Sequence, residues 1–411
     1  MSVRRHFAII APPVPGHLNP LQVLGGALVR QGHRATIVHI PECARYVTAP
    51  DIGFAPLADG PQPSLAPYLD RLAAPTGLGG LTRMIAATAR MTERLLDAAP
   101  ATLERIGADA VIADAAEPAG PLVAQRLRLP HVVSVTGLPL LAEAEVPPPF
   151  LGWRYRSGPL GRFRNRGGYG VSAVLMRPID RVLRERRRLW RIADAGEDAL
   201  AQVAQCPAAL DYPRRALPAR FFYGGPWRAV PPAGAALPVD GRPLVFCSLG
   251  SLQGGRKAVF ATMARACARI GARAVIAHGG GLTPADEAAL PGDPLVAAFW
   301  PQETVLPQCA AAVLHGGFNT VLDALGAGLP IVAVPIAFEQ PGTAARLARI
   351  GAAEVIAPRR LTPARLAAVL RRVLDQPSYR EAAGHVAAEM AKAGGAEAAA
   401  ARISAALAPL P

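Results

Sequence analysis

Short apolar runs recur along the chain, each closed by Gly, Pro, Asp or Ser and followed by residues with apolar positions at helical spacing. HFAIIAP (6–12) stops at a proline, LQVLGGALVRQG follows with apolar residues three and four apart, and HRATIVHI (33–40) is the next run. Unbroken apolar runs of this length suit strands buried on both faces, so the pattern predicts strand, helix, strand, the unit that opens a doubly wound parallel sheet. The unit recurs as DAVIAD (109–114), PLVAQRLRL and PHVVSVT (130–136). Residues 60–80, GPQPSLAPYLDRLAAPTGLGG, read as a surface loop.

The stretch 223–243 is dense in Gly and Pro and reads as a linker. A second series starts behind it: PLVFCSLGS (243–251), RAVIAHGG (273–280), PLVAAFW (294–300), AAVLHGG (311–317) and LPIVAVP (329–335), with Ala-rich helices between. The end of the chain is helical with a glycine break at 394–395. A length of 411 residues agrees with two cores better than one. The expected fold is therefore α/β: a first Rossmann-like domain over 1–222, a linker at 223–243, a second such domain over 244–385, and C-terminal helices 386–411 returning toward the first. Two such sheets present their strand ends to a shared cleft, where ligands of open α/β sheets bind.

Composition narrows the class. A hydrophobic content of 51% with 18% charged residues is that of a globular chain. No apolar run reaches the roughly 20 residues a membrane span needs, and the N-terminal patch reads as a first strand rather than a signal peptide. The five cysteines (Cys43, Cys206, Cys247, Cys267, Cys309) lie far apart and read as reduced thiols of a cytoplasmic protein. No metal-ligand spacing is visible among the eight histidines.

Charge is uneven. Residues 151–191 hold twelve arginines against Asp180 and Glu185, which accounts for +10 of the net +14. Within that segment Val171, Val174, Leu175, Ile179, Val182 and Leu183 recur at helical spacing, flanked by Trp153, Tyr155, Phe163 and Trp190. Two readings stand: a core-packed helix with a solvated arginine face, or a basic amphipathic helix for peripheral contact with an anionic membrane. Nucleic-acid binding fits less well, because no recognised motif accompanies the charge.

The chemistry concentrates at two strand-to-helix turns. His315-Gly316-Gly317 ends an apolar run and Phe318-Asn319-Thr320 begins a helix. Unsatisfied N–H groups and partial positive charge at a helix N-terminus attract phosphate; the glycines permit close approach, and Asn319 or Thr320 can cap the helix. The first domain has its own turn, PPVPGHLNP, which places His17 at the end of the first strand. A neutral imidazole there suits deprotonation of a hydroxyl, and Asp114, ending another strand, is the candidate to orient it. Glu117 is a nearby competitor. Plain alternatives are a turn histidine at 17 and a helix-capping Asp114.

The wider constellation FWPQ (299–302), HGGFNT (315–320), Asp323 and PIAFEQPG (335–342) resembles the donor signature of the nucleotide-sugar-dependent glycosyltransferases of the GT-B fold, family 1. The resemblance implies these roles. Phe299 stands where a tryptophan stacks on uracil, with Trp300 beside it, and Gln302 touches the base or ribose. His315 and the amides of Gly317, Asn319 and Thr320 hold the diphosphate, with Ser251 nearby. Asp323 stands where a glutamate holds the ribose, and Glu339 and Gln340 hold the sugar hydroxyls. It further implies a His17–Asp114 dyad, no metal, and no cofactor beyond the co-substrate UDP-glucose. HFAIIAPP, ADAAEPAG with LPHVVSVTGLPL, and HGGFNTVLDA with AFEQPG narrow the resemblance to the zeaxanthin glucosyltransferases of bacterial carotenoid pathways. The expected partners are a UDP-sugar and a hydrophobic hydroxylated acceptor, with macrolides as the rival acceptor class. A nucleotide-sugar epimerase and a silent sugar-nucleotide binder are the readings of different class.

Overall fold

The computed structural model describes residues 4–57, 64–73, 77–193, 199–229, 236–238 and 240–407. Two parallel sheets carry the chain. The first takes strands β1 (His6–Ile10), β2 (Arg34–His39), β3 (Gly53–Pro56), β4 (Ala110–Asp114), β5 (His131–Val135), β6 (Gln202–Ala204) and β7 (Phe221–Tyr223) in the order 3-2-1-4-5-6-7. The second takes β8 (Leu244–Ser248), β9 (Arg273–Ala277), β10 (Leu295–Ala297), β11 (Ala311–Leu314), β12 (Ile331–Ala333) and β13 (Ala353–Val355) in the order 10-9-8-11-12-13. Every pairing is parallel. Strands β1, β4, β8 and β11 are buried along their whole length, which is why they stand out as unbroken apolar runs.

Both sheets reverse their strand order beside their first strand, between β1 and β4 and between β8 and β11. Such a switch point splays the outgoing loops apart and leaves a crevice at the strand ends. The two candidate turns sit there: His17 follows β1 and Asp114 ends β4, while His315 follows β11 and Ser251 follows β8.

The lobes are fastened at several points. Asp211, just after β6, pairs with Arg346 at 3.1 Å and with Arg214 at 2.6 Å, and accepts from the Tyr223 hydroxyl at 3.0 Å. These charges are buried, so the pairing is held by multiple partners rather than by solvent. Arg346 lies on the helix Gln340–Arg349, so the node anchors the turn that carries Glu339 and Gln340 to the first domain. The helix Pro377–Lys392 places Ala383, Val386 and Met390 in the core of the second domain. After Gly394 and Gly395, both at positive φ, the helix Gly395–Ala406 lies on the first domain with Ala399, Ala400 and Ile403 in its core. The crossing thus comes at 394–395, later than the 386 boundary drawn from sequence.

Two expectations need correction. Residues 60–80 are not a loop where they are described: the helix Leu65–Ala73 buries Leu65, Tyr68 and Leu72, and a helix Gly77–Ile106 begins behind it. Residues 58–63 and 74–76 lie outside the described set. The basic segment forms one helix, Pro159–Trp190, which packs Leu175, Ile179, Val182 and Leu183 against Leu81, Met84 and Ile85 of Gly77–Ile106. Val171 and Val174 do not join them; they are 62% and 52% exposed. Of the flanking aromatics, Trp153 lies under Arg164, Tyr155 stacks on Tyr212 and Trp190 lies under Arg186, while Phe163 is 80% exposed.

Candidate active site

The helix Pro15–Arg30 starts five residues past β1, and its first turn carries His17. His17 Nδ1 lies 3.1 Å from Asp114 Oδ1 and 2.7 Å from Thr136 Oγ1, and Thr136 donates to Asp114 Oδ2 at 2.7 Å. A hydroxyl has one proton; given to Asp114, it leaves the Thr136 oxygen to accept from His17 Nδ1–H. That arrangement fixes the proton on Nδ1 and leaves the Nε2 lone pair for chemistry. The Ala116 amide donates to Asp114 Oδ1 at 2.9 Å, so the carboxylate is held from both sides. Asp114 is 1% exposed, whereas the His17 side chain is 27% exposed and reachable.

Burial pushes the His17 imidazole down, but the charge and hydrogen bond of Asp114, with Glu339 and Glu117 behind them, outweigh it and raise the pKa above 6.5. Glu117, the competitor, does not touch His17. It accepts from the Thr92 hydroxyl at 2.9 Å and the Ala119 amide at 3.2 Å, and burial pushes it up to about 7. Thr136 carries no motif, and its position one residue past β5 is the only sequence sign of it.

Across the cleft, the His315 amide bonds Ser248 O at 3.3 Å and its ring stands between Gly250 and Gly317. A Cβ at Gly250 would come within 2.8 Å of that ring, and one at Gly317 would overlap it, so both positions must be glycine for the ring to sit there. Burial lowers the His315 pKa to about 4, so at pH 7 the ring is neutral and can donate one hydrogen bond but carries no charge. Its Nδ1 is buried without a partner, and so is Oε1 of Gln302. These two atoms, on residues expected to meet the donor, are two of several buried side-chain atoms without a hydrogen-bond partner among the described residues, Trp227 Nε1 and Thr343 Oγ1 being others. The helix Phe318–Gly326 leaves its first-turn amides without intrahelical acceptors.

Neither Asn319 nor Thr320 caps that helix, contrary to expectation; Gly317 occupies the cap. The Asn319 side chain instead bridges the lobes, donating to Gly16 O at 2.7 Å and accepting from Gln205 Nε2 at 2.8 Å. Gln205 also donates to Thr136 O, and its Oε1 accepts from Arg228 at 3.0 Å. Arg228 in turn pairs with Asp323 Oδ1 and donates to Asn319 O at 3.0 Å. One hydrogen-bonded chain therefore runs from the residue beside the imidazole to the helix of the second turn. Gln205 and Arg228 escaped sequence reasoning because only the tertiary fold brings them here.

The remaining residues divide. The Trp300 indole donates to Ile276 O at 3.0 Å and is pinned to its own sheet, whereas Phe299 is 72% exposed and free to meet a ring. Gln340 Oε1 accepts from Ile336 and Ala337 amides at 2.8 Å each, holding the turn that presents Glu339. Burial raises the Glu339 pKa and the facing His17 lowers it, so the two groups feel one another across the cleft. Ser251 is exposed at the end of the β8 turn. Among the described residues no group of three or more His, Cys, Asp or Glu side chains is placed to hold a metal ion.

Comparison with known proteins gives the chain its family and its fold relatives. A family model described as erythromycin biosynthesis protein CIII-like, C-terminal domain, matches residues 262–405. The chain is 38% identical over 355 residues to zeaxanthin glucosyltransferase of Pseudescherichia vulneris, covering 83% of this chain and 84% of that protein. It is 34% identical over 408 residues to zeaxanthin glucosyltransferase of Pantoea ananas, covering 96% and 94%. The crystal structure of a calicheamicin glycosyltransferase shares the fold with a TM-score of 0.74 at 24% identity, over 99% of each chain. Two facing lobes, an oriented imidazole in one and an anion-ready helix turn in the other thus occur in a chain that belongs to the family 1 glycosyltransferases of the GT-B fold.

Proposed function

We propose that the protein transfers glucose from UDP-glucose, with inversion, to a hydroxyl of a hydrophobic acceptor, zeaxanthin or a related hydroxylated carotenoid. The observation that carries the acceptor is the identity of 34% and 38%, over most of both chains, to proteins named zeaxanthin glucosyltransferase. In this reading His17 Nε2 takes the acceptor hydroxyl proton while the oxygen attacks the anomeric carbon. The bond from that carbon to the phosphate oxygen breaks, and the diphosphate leaves with the electron pair. Asp114 and Thr136 stabilise the imidazolium formed.

The first-turn amides of Phe318–Gly326 and a neutral His315 donate to the leaving diphosphate, with Ser251 nearby, so its charge is met without a metal. Phe299 stacks on the base, Gln302 meets the base or ribose, and Glu339 with Gln340 holds the sugar. Arg228 takes Asp323 Oδ1, so the ribose contact falls to Oδ2. A polyketide acceptor is the second reading, favoured by the match of 262–405 to the erythromycin-type model; that match lies in the donor lobe and says less about the acceptor.

A hydrophobic acceptor resides in membrane, and no helix among the described residues is long and apolar enough to cross one. Peripheral contact of 151–191 with an anionic membrane belongs to the same reading. The test is incubation with UDP-glucose and a panel of hydroxylated carotenoids and macrolides, followed by mass spectrometry. A gain of one or two hexoses on the carotenoids supports the reading. Gain on macrolides alone moves the acceptor, and an altered nucleotide sugar without acceptor indicates an epimerase.

A further inference from the structure

The helix Pro159–Trp190 has more than a buried side and a wet side. Six of the ten exposed large hydrophobic side chains among the described residues lie on it. Five of these, Leu160 (85%), Phe163 (80%), Val171, Val174 and Leu189 (70%), fall within about 80° of one another at 100° per residue. The face that packs on the protein, centred on Gly161, Gly168 and Ile179, lies roughly a third of a turn away. Beside the exposed stripe, on its other flank, stand Arg166, Arg177, Arg181, Arg184 and Arg188, all exposed. None of these five forms an ion pair among the described residues.

We propose that this stripe is a lipid-contact face: the five apolar side chains enter the surface of an anionic bilayer and the flanking arginines meet its phosphates. An apolar stripe tens of ångströms long is larger than scattered surface hydrophobics require, and charge complementarity selects the occupant. A second copy of the chain would set arginine flank against arginine flank, and a nucleic acid would leave the apolar side chains without a partner. The inference deepens the hydrophobic-acceptor reading and rests on it for its purpose, though not for its geometry.

The test is sedimentation of the full chain with vesicles of phosphatidylglycerol and phosphatidylcholine, and with phosphatidylcholine alone. Wild type pellets with the anionic vesicles, less so as salt rises. Arg177, Arg181 and Arg188 changed together to Ser weaken this roughly 100-fold, each charge near the surface contributing about fivefold. Phe163→Ser with Val174→Ser weakens it by at least about tenfold through the lost insertion. Both variants keep wild-type glucosyl transfer to acceptor dispersed in detergent, since neither touches the cleft. Equal sedimentation of wild type and variants overturns the proposal. So does a wild-type dimer that Phe163→Ser dissociates while anionic vesicles go unbound. Vesicle binding without any transfer would fail the functional reading alone.

Discussion

Replacing Thr136 by valine keeps the side chain's shape and removes one oxygen. That oxygen accepts from His17 Nδ1 at 2.7 Å and donates to Asp114 Oδ2 at 2.7 Å. Without it, His17 keeps only the longer contact to Asp114 Oδ1, 3.1 Å, and Asp114 Oδ2 loses its donor. A hydrogen bond to a charged group is worth about 1.5–3 kcal/mol net. The imidazole and carboxylate are oppositely charged only as the proton transfers, so the loss falls mainly on the transition state. kcat should fall roughly 10- to 150-fold at about 1.4 kcal/mol per decade. UDP binding by calorimetry should stay at the wild-type level, because Thr136 reaches the second lobe only indirectly, through its backbone oxygen and the first-lobe Gln205 that bonds Asn319, and Thr136→Ser should recover most of the rate. Steady-state kinetics with UDP-glucose and acceptor, with thermal unfolding as a check on the fold, measures all of this. A Thr136→Val kcat within about twofold of wild type would refute the orienting role.

Two further perturbations probe the charges around the imidazole. Glu117 is buried and pushed up to about 7, so the folded chain holds its proton over a window in which the unfolded chain has lost it. Stability therefore falls as pH rises from about 4.5 to 7, by about 3 kcal/mol in all. Glu117→Gln removes that dependence; denaturation midpoints at pH 5 and 8 that converge in the variant, and diverge in wild type, meet the expectation. For His17 the active form is neutral, and its pKa is raised, so kcat/KM should climb with pH on a limb lying above 6.5. Because Glu339 is one of the groups raising it, Glu339→Gln should move that limb to lower pH, whatever it does to KM.

The parts of the fold legible in the sequence are those where burial acts on a whole segment. β1, β4, β8 and β11 are buried at every position, and a glycine, aspartate or proline marks each exit. Asp114 and His315 are legible because they stand at those exits, and His17 because it opens the helix just beyond one. The helix Leu65–Ala73 was hidden by flanking prolines and glycines, although Leu65, Tyr68 and Leu72 follow a helical spacing. In the basic helix, apolar residues serve two faces a third of a turn apart, and periodicity alone merged Val171 and Val174 with the buried set. Thr136, Gln205 and Arg228 are single polar residues from three distant segments, and no local pattern announces a contact that only folding creates.

In this mechanism His17 removes the acceptor proton while the second lobe independently grips the nucleotide. His17→Ala separates the two roles when UDP binding by calorimetry and glucosyl transfer in a single turnover are measured on one preparation. UDP affinity should be unchanged and the rate lower by roughly 10²–10⁴-fold. Transfer at the wild-type rate, or loss of UDP binding together with transfer, would contradict the mechanism.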